Sequence, residues 1–417
     1  MNITTPISTS SAAAETLGFD ADRLGKIPGF LQSYIDSGKL AGTSVLISRH
    51  GEVAQFEVNG NKDRENALPL EKDSIFRIYS MTKPITSLAL MMLYEEGKLQ
   101  LIHPVSHYIP AFADLQVWDE GTWDNYTTKA PEREMRVYDL LTHTSGLTYD
   151  FMMAHPVDKL YRKNKLGGAG RTKLNLEEIV DGLAKMPLQF SPGTKWNYSM
   201  ATDVCGRLVE IISGQTLDVF LKERIFDPLG MVDTGFYVPE DKWDRFAPCY
   251  RKDPVTGVTG RVDEADATGQ FTSKPAFLSG GGGLVSTQSD YLAFCQMLLN
   301  GGEANGKRFV SPKTIDLMTM NHLPDNKTMR EMDNSAFSET GMDGVGFGLG
   351  FSVLLDQGAS HSTGTPGIYS WGGLASTYFW IDPVEDLTVI FMTQLMPSSS
   401  YPIRPQLQQL VYAAMID

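Results

Sequence analysis

Residues 75–96 read IFRIYSMTKPITSLALMMLYEE, and the pattern changes character at Ser80. Residues 75–79 read as a short strand. From 81 to about 96, Leu88, Ala89, Leu90, Met91, Met92 and Leu93 make a helix so apolar that it has to be buried, with Pro84 in its first turn, where proline is tolerated. Ser80 then stands at the start of a buried helix, where free backbone amides and the positive dipole end favour a developing negative charge. Lys83 follows three residues later on the same helix face, so its amine can lie beside the Ser80 hydroxyl. A serine hydroxyl is a weak nucleophile until an adjacent base takes its proton. A lysine serves as that base only if desolvation or nearby positive charge lowers its pKa. Ordinary residue usage gives roughly one or two Ser-x-x-Lys matches by chance in a chain of this length. This is the only one, and it lies at a strand-to-helix junction. Spacing alone leaves catalysis and coincidence both open, so the partner residues must decide.

Composition narrows the field. With 417 residues, 42% of them apolar, the chain can bury a large core and makes two domains or one with a big insertion. A net charge of -14 argues against nucleic acid or an anionic membrane as partner. Cys205, Cys249 and Cys295 are too few and too scattered for a disulfide framework and fit a reducing compartment. The first twenty residues lack the basic start and apolar core of a signal peptide, and no uninterrupted apolar run reaches about 18 residues. The expected location is the cytoplasm.

Working outward from the central helix, hydrophobic periodicity predicts an amphipathic helix over about 20–38 and strands over 43–48 and 52–58. From about 101 to 271 the pattern is of loops rich in Pro, Gly and Trp, interrupted by helices at 176–186, 201–212 and 217–225. Helices follow at 287–300 and 312–320, strands at 348–355, 368–371, 377–381 and 387–393, and a closing helix near 406–415. Strands at both chain ends around a helical middle imply an α/β (α+β) fold, an antiparallel sheet flanked by helices. The expected division is an α/β domain from 1–100 and 275–417 and a mainly helical domain from 101–274.

Two further stretches carry chemistry. Tyr198-Ser199-Met200 follows the turn Ser191-Pro192-Gly193 and precedes the helix at 201. A phenol has a pKa of about 10, and a neighbouring lysine ammonium would lower it toward a usable base. Most of the 16 tyrosines nevertheless simply pack. In Ser370-Trp371-Gly372-Gly373-Leu374 the glycines let backbone amides approach a substrate, and with the Ser80 amide one of them could hold an oxyanion. Taken alone, that stretch reads better as a plain glycine-marked bulge. Other signals carry less: Gly280–Gly283 lacks a following Gly-Lys-Ser/Thr and reads as a turn near the cleft, and His103 and His107 are separated by Pro104 with no supporting acidic motif. No Gly-x-Ser-x-Gly elbow occurs, and His143 reads as a structural hydrogen-bonding residue.

Ser80-Met81-Thr82-Lys83, Tyr198-Ser199-Met200 and Trp371-Gly372-Gly373 together resemble, in order and spacing, the three motifs of the family VIII carboxylesterases. These belong to the serine β-lactamase and penicillin-binding-protein superfamily, near the class C enzymes. Residues 140–147 (LLTHTSGL) and 279–287 (SGGGGLVST) resemble the same superfamily, and the likeness runs from about Asp20 to near the C-terminus. The resemblance implies a β-lactamase-like fold with the active site in a cleft between the α/β and helical domains. It implies that Ser80 is acylated by an ester, that Lys83 and Tyr198 share the acid and base work, and that the amides of Ser80 and Leu374 hold the oxyanion. No metal or organic cofactor is implied, and the expected partner is a small-molecule ester.

Departures from the β-lactamase pattern shift the substrate. Where those enzymes carry a Lys-Thr/Ser-Gly strand, Trp371 replaces a cation with an indole, and Met200 stands where class C enzymes have an asparagine amide. Both changes remove polar recognition of a β-lactam and favour neutral, apolar acyl esters, while the shared acylation machinery leaves weak β-lactam hydrolysis open. Trp371, Gly372, Gly373, Met200 and Tyr149 are the expected substrate-binding residues, with loops at 115–136 and 149–171 shaping the pocket. The expected activity is hydrolysis of short-chain carboxylic esters. An acyltransferase, a β-lactamase or D-alanyl-D-alanine peptidase, and a non-catalytic penicillin-binding-like scaffold are the alternatives.

Overall fold

Eight consecutive residues, Gly42–Arg49 (β1), are buried along their whole length, which requires a sheet covered on both faces. The computed structural model of the protein describes residues 11–167, 172–333 and 337–417. The first ten residues and the end of the 149–171 loop fall outside the described residues. β1 lies in a sheet with Glu52–Asp63 (β2), Leu68–Pro69 (β3), Val345–Phe347 (β4), Ser352–Leu354 (β5), Tyr369–Gly372 (β6), Tyr378–Asp382 (β7) and Leu387–Met392 (β8). Its order is β4-β5-β6-β7-β8-β1-β2-β3, and every neighbouring pair is antiparallel.

Side chains alternate across this sheet, as a two-residue period demands. Val45, Ile47, Val389 and Phe391 enter one core with the helices Lys26–Asp36 (α1) and, at the chain end, Ile403–Ala413. Leu46, Ile390 and Met392 enter the other, with Thr82–Glu95 (α2), Ala201–Ser213 (α3) and Gln288–Leu299 (α4). The chain-end helix is α5. In α2 every residue from Thr82 to Leu93 is buried, so this helix is apolar all round because protein surrounds it all round. It packs along α3.

The differences from the sequence reading have local causes. The helix expected over 20–38 is two, Ala21–Leu24 and Lys26–Asp36, divided at Gly25. The strand expected over 348–355 is the hairpin β4–β5, turned at Gly350 with φ +100. Helix α5 starts earlier, at Ile403. Two hairpins, Val117–Thr122 with Asn125–Lys129 and Cys249–Lys252 with Thr259–Asp263, lie in the stretch read as loops and helices. Asn125–Lys129 is exposed throughout, so no apolar alternation announces it. Cys205, Cys249 and Cys295 are free and buried, and no helix among the described residues is long and apolar enough to cross a membrane.

Ile390 is fully buried in the sheet, and Ile390→Ala is expected to cost about 2–5 kcal/mol of stability in urea unfolding. Val255 is 91% exposed, and Val255→Ala should stay within about 0.5 kcal/mol of the parent.

Candidate active site

Ser80 is delivered by a two-residue strand, Phe76–Arg77, paired antiparallel with Val285–Ser286. Arg77 anchors that strand: its Nε donates to Asp263 at 2.8 Å, Nη1 to the Ala247 carbonyl at 2.5 Å and Nη2 to the Glu264 carbonyl at 2.6 Å. The amide of Ile78 donates to the Leu284 carbonyl at 3.1 Å, and the Leu284 amide donates to Thr82 Oγ1 at 3.2 Å. Tyr79, immediately before the serine, has φ +41, a backbone state that costs energy for a residue with a side chain and that clusters at functional sites. A 3-10 turn, Tyr79–Met81, then runs into α2.

Lys83 sits inside the protein, 1% exposed. Its Nζ lies 3.3 Å from Ser80 Oγ, 2.8 Å from the Tyr149 hydroxyl and 2.7 Å from the Gly281 carbonyl oxygen. Burial lowers its pKa to about 7, against the opposing pull of the Asp203 and Glu339 carboxylates. Near neutral pH much of the amine is therefore uncharged, with two N–H groups and one lone pair. The Gly281 carbonyl can only accept, which leaves the lone pair available to the Ser80 hydroxyl proton.

Asp203, on the first turn of α3, holds the glycine loop over the lysine. Its Oδ1 accepts from Ser279 Oγ at 2.6 Å and from the Gly281 amide at 3.1 Å, while burial raises its own pKa. A Cβ at Gly281 would stand 2.7 Å from Asp203 Oδ2 and 3.1 Å from the Tyr149 hydroxyl, so only glycine brings this carbonyl to Lys83.

Tyr198 is 1% exposed, and Lys83 Nζ lies 4.5 Å from its ring centroid. Its ring is 5.4 Å from Trp371, 5.2 Å from Tyr149 and 5.1 Å from His143. The expectation that a lysine ammonium would pull the Tyr198 pKa down is corrected here. Burial pushes it well above the ordinary value, and Lys83, itself largely uncharged, offers little compensation. Ser80 and the Trp371 indole favour its charged form, yet neither completes a hydrogen bond with it. The Tyr198 hydroxyl and Trp371 Nε1 are both buried without a partner among the described residues.

The remaining expected residues fall as follows. Gly373 meets the segment that carries Ser80, since a Cβ there would be 2.3 Å from the Ile78 carbonyl oxygen. Gly372 faces the Arg404 guanidinium, 2.6 Å from a would-be Cβ, so packing against Arg404 rather than substrate demands that glycine. Met200 is buried at the start of α3, with its amide on the Thr148 carbonyl at 3.2 Å. Tyr149, expected to bind substrate, is a hydrogen-bond partner of Lys83 itself. His143 lies 3.2 Å from Ser199 Oγ through Nδ1, and burial with the Lys83 charge drives its pKa well down. Asp203, Glu339 and the Gly281 carbonyl are functional groups that sequence reasoning did not single out. The glycine run was the only signal.

The beta-lactamase family model matches residues 27–413. The chain belongs to the beta-lactamase family. Within that family it is 34% identical over 374 residues to Protein Rv1367c of Mycobacterium tuberculosis, covering 89% of this chain and 90% of the relative. It is 30% identical over 392 residues to Esterase EstB of Burkholderia gladioli, covering 90% and 91%. The solved structure of EstCE1, a hydrolase with promiscuous acyltransferase activity, matches with a TM-score of 0.79 at 28% identity, over 96% of this chain and 100% of that one. The fold is β-lactamase-like, helices on an antiparallel sheet, as the motifs implied.

Lys83→Met should abolish turnover and stabilise the protein. The folded amine holds its proton only below about 7 and the unfolded one up to about 10.4. Between those values the unfolded chain binds more protons, so stability rises with pH. Urea midpoints at pH 7 and pH 9 should show that rise in the parent and its loss in Lys83→Met, and parent activity should fall as pH drops through about 7. Tyr198→Phe should lose most of its turnover, roughly 10²-fold, with an unchanged urea midpoint; full activity would remove the hydroxyl from the reaction.

Proposed function

We propose that this protein is a serine carboxylesterase of family VIII that hydrolyses short-chain carboxylic esters through an acyl-enzyme on Ser80. The observation that carries this reading is the buried amine of Lys83, depressed to about 7 and 3.3 Å from Ser80 Oγ. As Oγ attacks the ester carbonyl, its proton passes to Lys83 and the oxyanion takes the Ser80 and Leu374 amides. Tyr198, a neutral phenol, gives its proton to the departing alkoxide and recovers one from the Lys83 ammonium. Water then attacks the acyl-enzyme, losing a proton to Lys83, and Ser80 regains it as the acid leaves.

Apolar surroundings favour a neutral ester. Tyr149 stacks on Phe151 at 4.7 Å, Phe337 lies 6.0 Å from Phe151 and 5.8 Å from Tyr198, and Trp371 closes the row. Support also comes from the relatives, one named an esterase and one a hydrolase. That aromatic row suits an apolar alcohol as well as an acyl chain, which keeps acyl transfer as the second reading. Three unpaired cysteines accord with a reducing compartment such as the cytoplasm.

Hydrolysis of p-nitrophenyl esters from acetate to laurate tests the proposal. Turnover should peak at short chains and vanish in Ser80→Ala; unchanged turnover in that variant would refute an acyl-enzyme on Ser80. An added alcohol acceptor separates transfer from hydrolysis, and a chromogenic cephalosporin should turn over weakly at most.

A further inference from the structure

Behind the Trp371 strand, one side chain of the chain-end helix grips the turn that carries Leu374. Arg404, near the start of α5, donates through Nη2 to the Gly373 carbonyl at 2.8 Å and the Thr377 carbonyl at 2.7 Å. Through Nη1 it donates to the Glu339 carbonyl at 2.6 Å and to the Glu339 carboxylate at 3.1 Å. The turn is closed on itself: the Gly373 amide donates to the Thr377 carbonyl at 2.9 Å, and the Ser376 amide to the Gly373 carbonyl at 3.0 Å.

The Gly373 carbonyl and the Leu374 amide belong to one peptide plane. In a trans peptide the C=O and N–H point in opposite directions, so whatever fixes the carbonyl aims the amide. A cation on that carbonyl also polarises the peptide and makes its N–H the stronger donor. We infer that Arg404 is a positioning residue for the oxyanion hole, aiming and polarising the Leu374 amide through the Gly373 carbonyl while its ion pair with Glu339 neutralises a carboxylate beside Lys83. The inference rests on the reading of Leu374 as an oxyanion donor. Three carbonyls and one carboxylate around a single head group require a planar fork of N–H donors, which lysine lacks.

The second role has its own signature. Lys83 is faced by Ser80, Tyr149, Tyr198 and the Gly281 carbonyl, and by the charges or potential charges of Asp203, Glu339 and His143. Of these, Glu339 alone is paired with Arg404. Removing the arginine leaves the Glu339 charge to raise the Lys83 pKa, so the acidic limb of the rate profile moves to higher pH. Removing both charges returns the limb without restoring the amide.

The test compares the parent with Arg404→Ala, Arg404→Lys, Arg404→Ala combined with Glu339→Gln, and Leu374→Pro, which deletes the amide hydrogen. Hydrolysis of p-nitrophenyl butyrate is followed across pH, together with inhibition by an alkyl trifluoromethyl ketone, which forms a tetrahedral adduct on Ser80. Arg404→Ala should lose about 10²-fold in kcat with KM within about threefold, and its affinity for the ketone should fall as far as kcat/KM. Arg404→Lys should be nearly as poor. A cavity of about 290 Å³ reaches Arg404 alongside Ser370, Tyr378 and Gln408, so millimolar guanidinium should enter and partly restore Arg404→Ala, while ammonium should not. Parent kcat in the arginine variants with an inactive Leu374→Pro would overturn the inference and leave the oxyanion reading standing. A fully active Leu374→Pro would overturn both. If Arg404→Ala does not fold, Arg404→Lys decides: parent kcat counts against the inference.

Discussion

Keeping the amine of Lys83 out of water is the constraint on which the rest depends. Burial disfavours the ammonium more than the nearby carboxylates favour it, and a base near neutrality results. That outcome needs a helix buried on every side, which α2 supplies through twelve consecutive buried residues. It also needs acceptors that hold the amine without donating to it, and Gly281 provides one through a loop that Asp203 fastens. The short pairing of Phe76–Arg77 with Val285–Ser286 brings the loop and the Ser80 segment together.

Charge near the site is handled in pairs. Arg77 is fully buried and bound to Asp263, with two backbone carbonyls taking its other donors. Arg404 and Glu339 form a second buried pair behind the Trp371 strand. Removing one partner of such a pair costs far more than the pair contributes, because it strands a charge in low dielectric. Both arginines spread their remaining donors over backbone carbonyls, Arg77 on Ala247 and Glu264 and Arg404 on Gly373, Thr377 and Glu339. Tyr198 differs in kind: burial raises its pKa, its hydroxyl has no hydrogen-bond partner among the described residues, and aromatic rings wall it in.

Much of the scaffold was readable because its periods are strong. The buried run of α2, the continuously buried run of β1 and the apolar strand β8 each announce their element, and the observed bounds differ by a few residues. The strand Asn125–Lys129 was not readable, since it lacks a buried face to impose a pattern. The break at Gly25 and the turn at Gly350 escaped for another reason: a glycine within a periodic stretch leaves the period intact while it redirects the chain.

The sequence alone determined which residues could do chemistry, because Ser-x-x-Lys spacing on a helix places an amine beside a hydroxyl whatever lies around it. It also determined the fold class, through strand periods at both chain ends. Tertiary structure decided the protonation states, which depend on burial and on charges brought from distant segments. It turned Tyr198 from an expected base into a neutral phenol, made Tyr149 a partner of Lys83, and set Asp203, Glu339 and Arg404 around the site. Those three residues stand in helices and loops far apart in the chain, and a local pattern carries no trace of a contact made across the fold.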